Sequence, residues 1–293
     1  MAANIYKHAD ANVRRTWALM TGFFGLVIAL GWVFSYIYES PGILLFAVIF
    51  AVGMNIFSYW YSDKIVLKLH KAKLVTREEY FDLWNMTENL SITAGLPMPR
   101  LYVVDDRAPN AFATGRNAKH GVVCVTTGLL SILDKSELEG VIAHELSHIG
   151  NKDILISTVA VVLAGFISLL ADFFLRSRIT GGRDGKGGVL IIVGIVLAIL
   201  APIFATLIRL AISRRREFLA DASGALLTRY PEGLANALRK INGAAEPLRT
   251  RHDATAHLFI ANPFANIKTS KLTNLFQTHP PMEERVKALL EEQ

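Results

Sequence analysis

Hydrophobic residues dominate four long stretches of the chain. Residues 16–38 and 40–62 contain no charged side chain and are separated only by Glu39. Residues 154–171 and 187–208 are also uncharged. A helix needs about 20 apolar residues to cross the hydrocarbon core of a bilayer, where it satisfies its own backbone hydrogen bonds. The pattern therefore predicts two pairs of membrane-spanning helices.

The polar block at residues 63–153 has a mixed pattern of helices and short strands. Residues 76–96 predict a helix that begins at a capping box formed by Thr76 and Glu79. Three short runs of β-branched and apolar residues bounded by turn residues then predict strands. These runs are RLYVVDD at 100–106, NAFATGR at 110–116 and GVVCVTTGLL at 121–130. The segment DKSELEGVIAHELSHIG at 134–150 predicts a helix, with acidic residues in its first turn and glycine at its end.

The composition supports a membrane protein. Hydrophobic residues make up 52% of the chain and charged residues 19%, whereas soluble proteins have about 25% charged residues. The net charge is +6, and the basic excess lies beside the apolar stretches. This favours an anionic bilayer surface as the partner, and not nucleic acid. The polar start MAANIYKHADANVRR is unlike a signal peptide, so we expect a retained anchor. A single cysteine, Cys124, excludes an intramolecular disulfide and favours a reducing compartment.

The helix at 134–150 carries the pattern His-Glu-x-x-His. His144 and His148 are four residues apart, so both imidazoles lie on one helix face and can reach one metal ion. Glu145 is rotated by about 100° from His144, which places its carboxylate beside the ion. Zinc lowers the pKa of a bound water toward about 7, and a neighbouring carboxylate can take its proton. The pattern predicts a zinc peptidase with Glu145 as catalytic base.

A catalytic zinc ion usually takes three protein ligands and leaves one position open. The segment SRRREFLAD at 213–221 offers the third, because Glu217 and Asp221 are four residues apart and share a helix face. Glu217 can bind the ion, while Asp221 can accept a hydrogen bond from the second nitrogen of a histidine ligand. A solvated charged helix after a membrane exit is the alternative for this segment alone.

The motifs together resemble those of the HtpX-type integral-membrane zinc metalloproteases, which are bacterial quality-control enzymes related to the CAAX prenyl endopeptidases. The resemblance rests on HELSH, SRRREFLAD, NAFATG at 110–115 and THPPMEER at 278–285, and it covers nearly the whole chain. It implies one zinc ion on His144, His148 and Glu217, with Glu145 as general base. It also implies an ATP-independent, stress-related endopeptidase of the bacterial inner membrane that acts on membrane proteins.

The two remaining motifs have open roles. Asn110, Ala111 and Phe112 can lie on an edge strand that pairs with the substrate backbone, or in a plain core strand, and the sequence supports both equally. His279 precedes two prolines, where it can stabilise an oxyanion or simply pack. Arg285 can pair with an acidic residue such as Asp221.

We therefore predict a multi-pass α-helical membrane protein with a mainly α (α+β) zincin-like metalloprotease domain and a small edge sheet beside the HExxH helix. The expected segments are 1–62 (N-terminal segment and first transmembrane hairpin), 63–153 (first catalytic part), 154–211 (second hairpin) and 212–293 (second catalytic part). A non-catalytic scaffold or chaperone-like protein with structural zinc is the alternative. Glu145 argues against it, because structural zinc needs no carboxylate beside an open position. A transporter has little support, since only Asp172 lies near the interior of an apolar stretch.

The expected topology follows from parity and charge. His148 precedes the third apolar stretch and Glu217 follows the fourth, so the chain between them must cross the membrane an even number of times if both bind one ion. Basic residues flank the first hairpin on both sides but are absent from its loop, which places both termini and the zinc in the cytoplasm. The loop at 176–186 also has four basic residues, although it would lie outside. The alternative topology is a second hairpin that is only partly inserted in the membrane.

Overall fold

The structure is a computed structural model that describes residues 2–180, 214–244, 246–250, 252–263 and 280–291. The fourth apolar stretch, residues 187–208, lies outside the described residues, and so does His279.

Two long apolar helices form the N-terminal hairpin. Helix α1 is Ala2–Ile37 and helix α2 is Pro41–Leu69, with proline at its first position. Segments Asp10–Ile37 and Pro41–Leu69 are both long and apolar enough to cross a membrane. Large apolar side chains such as Phe46, 67% exposed, face outward from the hairpin, as expected for a lipid-facing surface. These two helices are the candidate membrane spans that the sequence predicted for this part of the chain.

Helix α6, Asp153–Thr180, corresponds to the third apolar stretch and packs on this hairpin. Phe23 of α1, Ala51 of α2 and Leu163 of α6 belong to one buried cluster. Helix α6 follows α5, Lys135–Gly150, after a bend of 80°, and the two count as a third span only if taken together. The full crossing of the membrane by the second hairpin stays a prediction. The division of the chain at residues 62, 153 and 211 also stays a prediction.

A small mixed sheet lies beside α5. It confirms the three predicted strands, except that residues 127–130 of the third run belong to a helix and not to the strand. In space the strands follow the order β1 (Lys73–Leu74), β2 (Arg100–Val104), β4 (Val122–Thr126) and β3 (Ala111–Thr114). Strand β4 is parallel to β2 and antiparallel to β3. Strand β3 is an edge strand of the sheet, and it lies nearest the HExxH helix.

Three further helices pack directly against α5, namely α3 (Phe81–Ala94), α7 (Arg214–Thr228) and α8 (Pro231–Gly243). The other described helices are α4 (Thr127–Ile132), α9 (Met282–Glu291) and two 3₁₀ helices, Ala118–His120 and Asp253–Leu258. Helix α3 begins four residues later than its capping box predicted, because its N-cap is Tyr80 and not Thr76. The amide of Thr76 does donate to Glu79, but residues 77–79 form turns and the helix starts only at Phe81.

Helix α5 is capped at its start and is approached closely by two other helices. A capping box of Asp134 and Glu137 satisfies backbone amides at its start. Gly140 lets α8 approach closely, because a Cβ there would lie 2.7 Å from the amide nitrogen of Leu234. Gly224 does the same for α7, where a Cβ would lie 3.0 Å from the amide nitrogen of His144. These contacts bring the backbone of α7 directly against the HExxH segment.

Candidate metal centre

The close packing of α5 and α7 brings His144, His148 and Glu217 together. The Nε2 atoms of the two histidines are 3.1 Å apart. The carboxylate oxygens of Glu217 lie 3.8 Å from Nε2 of His144 and 3.7 Å from Nε2 of His148. One donor atom from each residue lies within 4.8 Å of the others, so all three can contact a single ion.

The donor set fits a catalytic zinc ion. Two imidazole nitrogens at about 2.05 Å from a tetrahedral zinc would be about 3.3 Å apart, close to the spacing of the His144 and His148 nitrogens. Glu217 completes the two-histidine, one-carboxylate set that leaves a fourth position open for water or substrate. The three side chains meet in the structure, as the sequence predicted.

Glu145 lies beside these residues with a free oxygen. Its side chain is buried, and Oε2 has no hydrogen-bond partner in the part of the chain that the structure describes. Together with Ala113 and His148 it lines a cavity of about 30 Å³, which has room for about two water molecules. Burial raises the pKa of Glu145 to about 7, while the charges of His148 and Arg285 act in the opposite direction. This carboxylate is suited to accept and release a proton.

His144 is held by a buried chain of charged groups. Its Nδ1 lies 2.9 Å from Oδ1 of Asp221, and Arg285 binds both oxygens of Asp221, at 2.6 and 2.8 Å. Arg285 is fully buried and also donates to the carbonyl of Ile260. Burial opposes ionisation of Asp221, but Arg285 outweighs it and holds the pKa of Asp221 at about 2. The Asp221–Arg285 pairing expected from the sequence is therefore present.

His148 is held by a second chain of the same kind, which the sequence did not reveal. Its Nδ1 lies 3.0 Å from Oδ2 of Asp153, and Arg216 contacts Oδ1 of Asp153 at 2.8 Å. Asp153 comes five residues after His148 and Arg216 directly precedes Glu217, so proximity to the ligands was the only signal available. Each histidine is thus oriented by an aspartate that an arginine neutralises.

The two histidines differ in their affinity for a proton. Burial lowers the pKa of His144 to about 4, against the effect of Asp221. Burial also disfavours a charged His148, but the neighbouring carboxylates of Asp153 and Glu217 raise its pKa to about 9. A metal ion bound to both rings needs an unprotonated Nε2 on each, so metal binding competes with protonation of His148.

The groups of Asn110 and Ala111 that were proposed to bind substrate already form hydrogen bonds within the chain. The Asn110 side chain accepts from the amide of Ala261 at 3.1 Å and donates to its carbonyl at 3.0 Å. The amide of Ile260 donates to the carbonyl of Ala111 at 2.9 Å. Residues 260–261 therefore form the bonds that an added strand would form at the edge of β3.

Phe112 lies in a buried aromatic cluster. It forms an antiparallel bridge with Phe259, and the two rings meet edge to face with centroids 5.0 Å apart. His70, at the end of α2, packs against both rings. The side chain of Phe112 thus contributes to packing inside the protein.

The comparisons with known proteins agree with this geometry. Residues 79–293 match peptidase family M48. A protease HtpX homolog from Caldanaerobacter subterraneus subsp. tengcongensis is 46% identical over 295 residues, with 97% of each chain covered. Another, from Pyrococcus furiosus, is 48% identical over 278 residues, with 94% of each chain covered.

A solved structure with the same fold also exists. The crystal structure of S. mikatae Ste24p matches with a TM-score of 0.52 and 18% identity, covering 97% of this chain and 67% of that one. This likeness supports the predicted fold class of membrane helices with a zincin-like domain. The family match over most of the chain, together with relatives that align over nearly their whole length, shows that the chain belongs to peptidase family M48 and is an HtpX-type metallopeptidase.

Proposed function

We propose that this metallopeptidase uses zinc to cleave unfolded or misfolded membrane proteins at the cytoplasmic face of the bacterial inner membrane. It acts without ATP, in protein quality control and the stress response. The observation that carries the proposal is the meeting of His144, His148 and Glu217 beside the buried, unpaired oxygen of Glu145. The scaffold alternative is disfavoured, because it gives that oxygen no role.

Each residue has a distinct part in the proposed reaction. His144, His148 and Glu217 would hold one zinc ion, which supplies Lewis acidity toward a water molecule and a peptide carbonyl. Glu145 accepts the proton of the attacking water at Oε2 and returns it to the departing amine. Asp221 and Asp153 keep the histidine rings in the orientation that presents Nε2 to the ion.

The position of the site favours substrates at the bilayer surface. Helix α5 ends at Gly150, and α6, which packs on the membrane hairpin, begins at Asp153. Gly150 and Asp153 are three positions apart, which corresponds to only about 5 Å of helical rise. A peptide segment that leaves the membrane can therefore reach the site without a long tether.

Substrate binding would require an exchange of partners at β3. Residues 260–261 hold the Asn110 side chain and the Ala111 carbonyl, so an extended substrate can use these groups only by replacing that segment. Recognition through backbone hydrogen bonds depends on an accessible extended chain and only weakly on side chains. We propose loose sequence preference for this reason.

A folded segment should resist cleavage, because its backbone is already hydrogen-bonded and cannot add a strand. We expect rapid cleavage of a membrane-anchored substrate whose cytoplasmic segment is destabilised by point substitution. The same substrate with the segment in its folded form should be cut up to about tenfold more slowly if the substitution costs about 1.4 kcal/mol of folding free energy. Gel analysis of the two purified substrates in one membrane preparation measures the ratio.

The same pair of substrates reports on the binding edge when mixed with a Glu145→Gln variant. The destabilised form should raise hydrogen exchange at the amides of Ile260 and Ala261, and the folded form should not. Equal cleavage of both forms, or a strict requirement for one side chain beside the cut, contradicts the proposed substrate class. If hydrogen exchange at the two amides is unchanged while the parent enzyme cleaves the destabilised substrate normally, only the use of this edge is contradicted.

The proposed orientation predicts that the loop between the third and fourth apolar stretches lies outside the cytoplasm. A Gly182→Cys variant should then react with a membrane-impermeant thiol reagent in intact cells. The native Cys124 is buried and serves as the internal control, since the parent protein should stay unlabelled. Labelling of the variant only after cell lysis would indicate that the second hairpin does not span.

A further inference from the structure

Asn12 of the first membrane helix reaches into the network behind the metal centre. It is 1% exposed. Its amide nitrogen donates to Oδ1 of Asp153 at 2.7 Å and to the carbonyl of Asn151 at 3.0 Å. Its amide oxygen accepts from Nη1 of Arg216 at 2.8 Å. Both donors of the amide are therefore used, and its oxygen is paired.

These bonds explain a polar residue at a costly position. Asn12 lies on α1, four residues before the apolar stretch that begins at residue 16. An amide buried without partners there would cost several times the worth of a hydrogen bond, so an apolar residue is the default. Asn12 instead joins α1 to the turn after α5, to the start of α6 and to α7.

The contact with Asp153 bears directly on His148. Oδ2 of Asp153 faces Nδ1 of His148, while Oδ1 is held jointly by Asn12 and Arg216. Fixing one oxygen fixes the rotation of the carboxylate, and this rotation sets where the other oxygen holds the imidazole. Asn12 therefore acts on the ring of His148 through a single intermediate side chain.

We propose that Asn12 is a positioning residue for the metal ligand His148, so that the first membrane helix is a working part of the metal centre. The proposal rests on the proposed zinc site. The other histidine has no comparable link in the described residues: the contacts of Asp221 come from α5 and from Arg285 of α9. Movement of α1 in the bilayer would therefore disturb one ligand of the site and spare the other.

The test is zinc affinity, measured on purified full-length protein by competition with a chelator. Asn12→Ala should weaken zinc binding by up to about tenfold, at the lower end of the effect of outer partners of metal ligands. Thr16→Val is the matched control. Thr16 is a buried residue one turn later on α1, and within the described residues its hydroxyl donates to the carbonyl of Asn12 alone. Its zinc affinity should equal that of the parent.

A second measurement distinguishes a positioning role of Asn12 from a merely structural one. In an Asp153→Ala background, adding Asn12→Ala should cause no further loss of zinc affinity, because Asn12 acts through Asp153. Independent, multiplying effects would overturn the proposal, and so would parental affinity in the single variant. Should Asn12→Ala fail to fold, Asn12→Leu retains similar volume without the amide. Failure of the parent to bind zinc would instead overturn the proposed function.

Discussion

Replacing Glu145 by Gln should reduce peptide cleavage by about 10²- to 10⁴-fold while leaving zinc bound. The amide keeps the shape of the side chain but cannot accept the proton of the attacking water. The three ligand side chains, His144, His148 and Glu217, are unchanged, so the metal content should stay at one ion per chain. Cleavage of a membrane-anchored substrate and zinc analysis of the same purified sample measure the two properties separately.

The matched control removes the metal instead of the base. His148→Ala should lose both zinc and cleavage, because the remaining His144 and Glu217 offer only two ligands. Full activity of the Glu145→Gln variant in a purified sample would show that the mechanism proposed here is wrong. Loss of zinc in that variant would show that Glu145 helps to hold the ion.

Replacing Arg285 by Ala should lower the free energy of unfolding by about 3–5 kcal/mol, because it leaves the carboxylate of Asp221 buried without its cation. Arg285 is fully buried and binds both oxygens of Asp221. Zinc affinity should fall as well, since Asp221 then no longer holds His144 in a fixed orientation. Thermal unfolding and chelator competition in detergent measure the two effects.

A double variant separates stability from metal binding. Replacing Asp221 by Leu together with Arg285→Met removes the whole ion pair, and burying apolar side chains in its place is often neutral for stability. We expect unfolding close to that of the parent but zinc binding that stays weak, because His144 has lost its carboxylate. Parental zinc affinity in this double variant would show that the Asp221–Arg285 pair serves only the fold.

The sequence predicted the parts of the site that follow a local period. His144 and His148 share a face because four residues make about one helical turn, and the spacing of Glu217 and Asp221 gave the second helix in the same way. The helix at 134–150 and the three strands were also recognisable from capping residues and short apolar runs. Each of these features depends on residues close together in the chain.

The features that the sequence did not reveal depend on contacts between distant residues. Asn12 is 141 residues away from Asp153 along the chain, and no local pattern connects them. The pairing of Asn110 with Ala261 joins residues that are 151 positions apart. NAFATGR looks like an available edge strand, and only the folded chain shows that another segment already lies along it. Such contacts follow from tertiary packing and have no periodic signature.

The buried position of Arg285 has a consequence for biosynthesis. Helix α9 carries the only arginine that neutralises Asp221 in the described structure, and it is translated after every other part of the site. A nascent chain that has already placed α1 and α2 in the membrane and folded the HELSH helix still lacks this cation. The carboxylate of Asp221 therefore gains its cation only after α9 has been made and has packed against α7. Until then the ring of His144 is held by an aspartate whose charge is not balanced by Arg285.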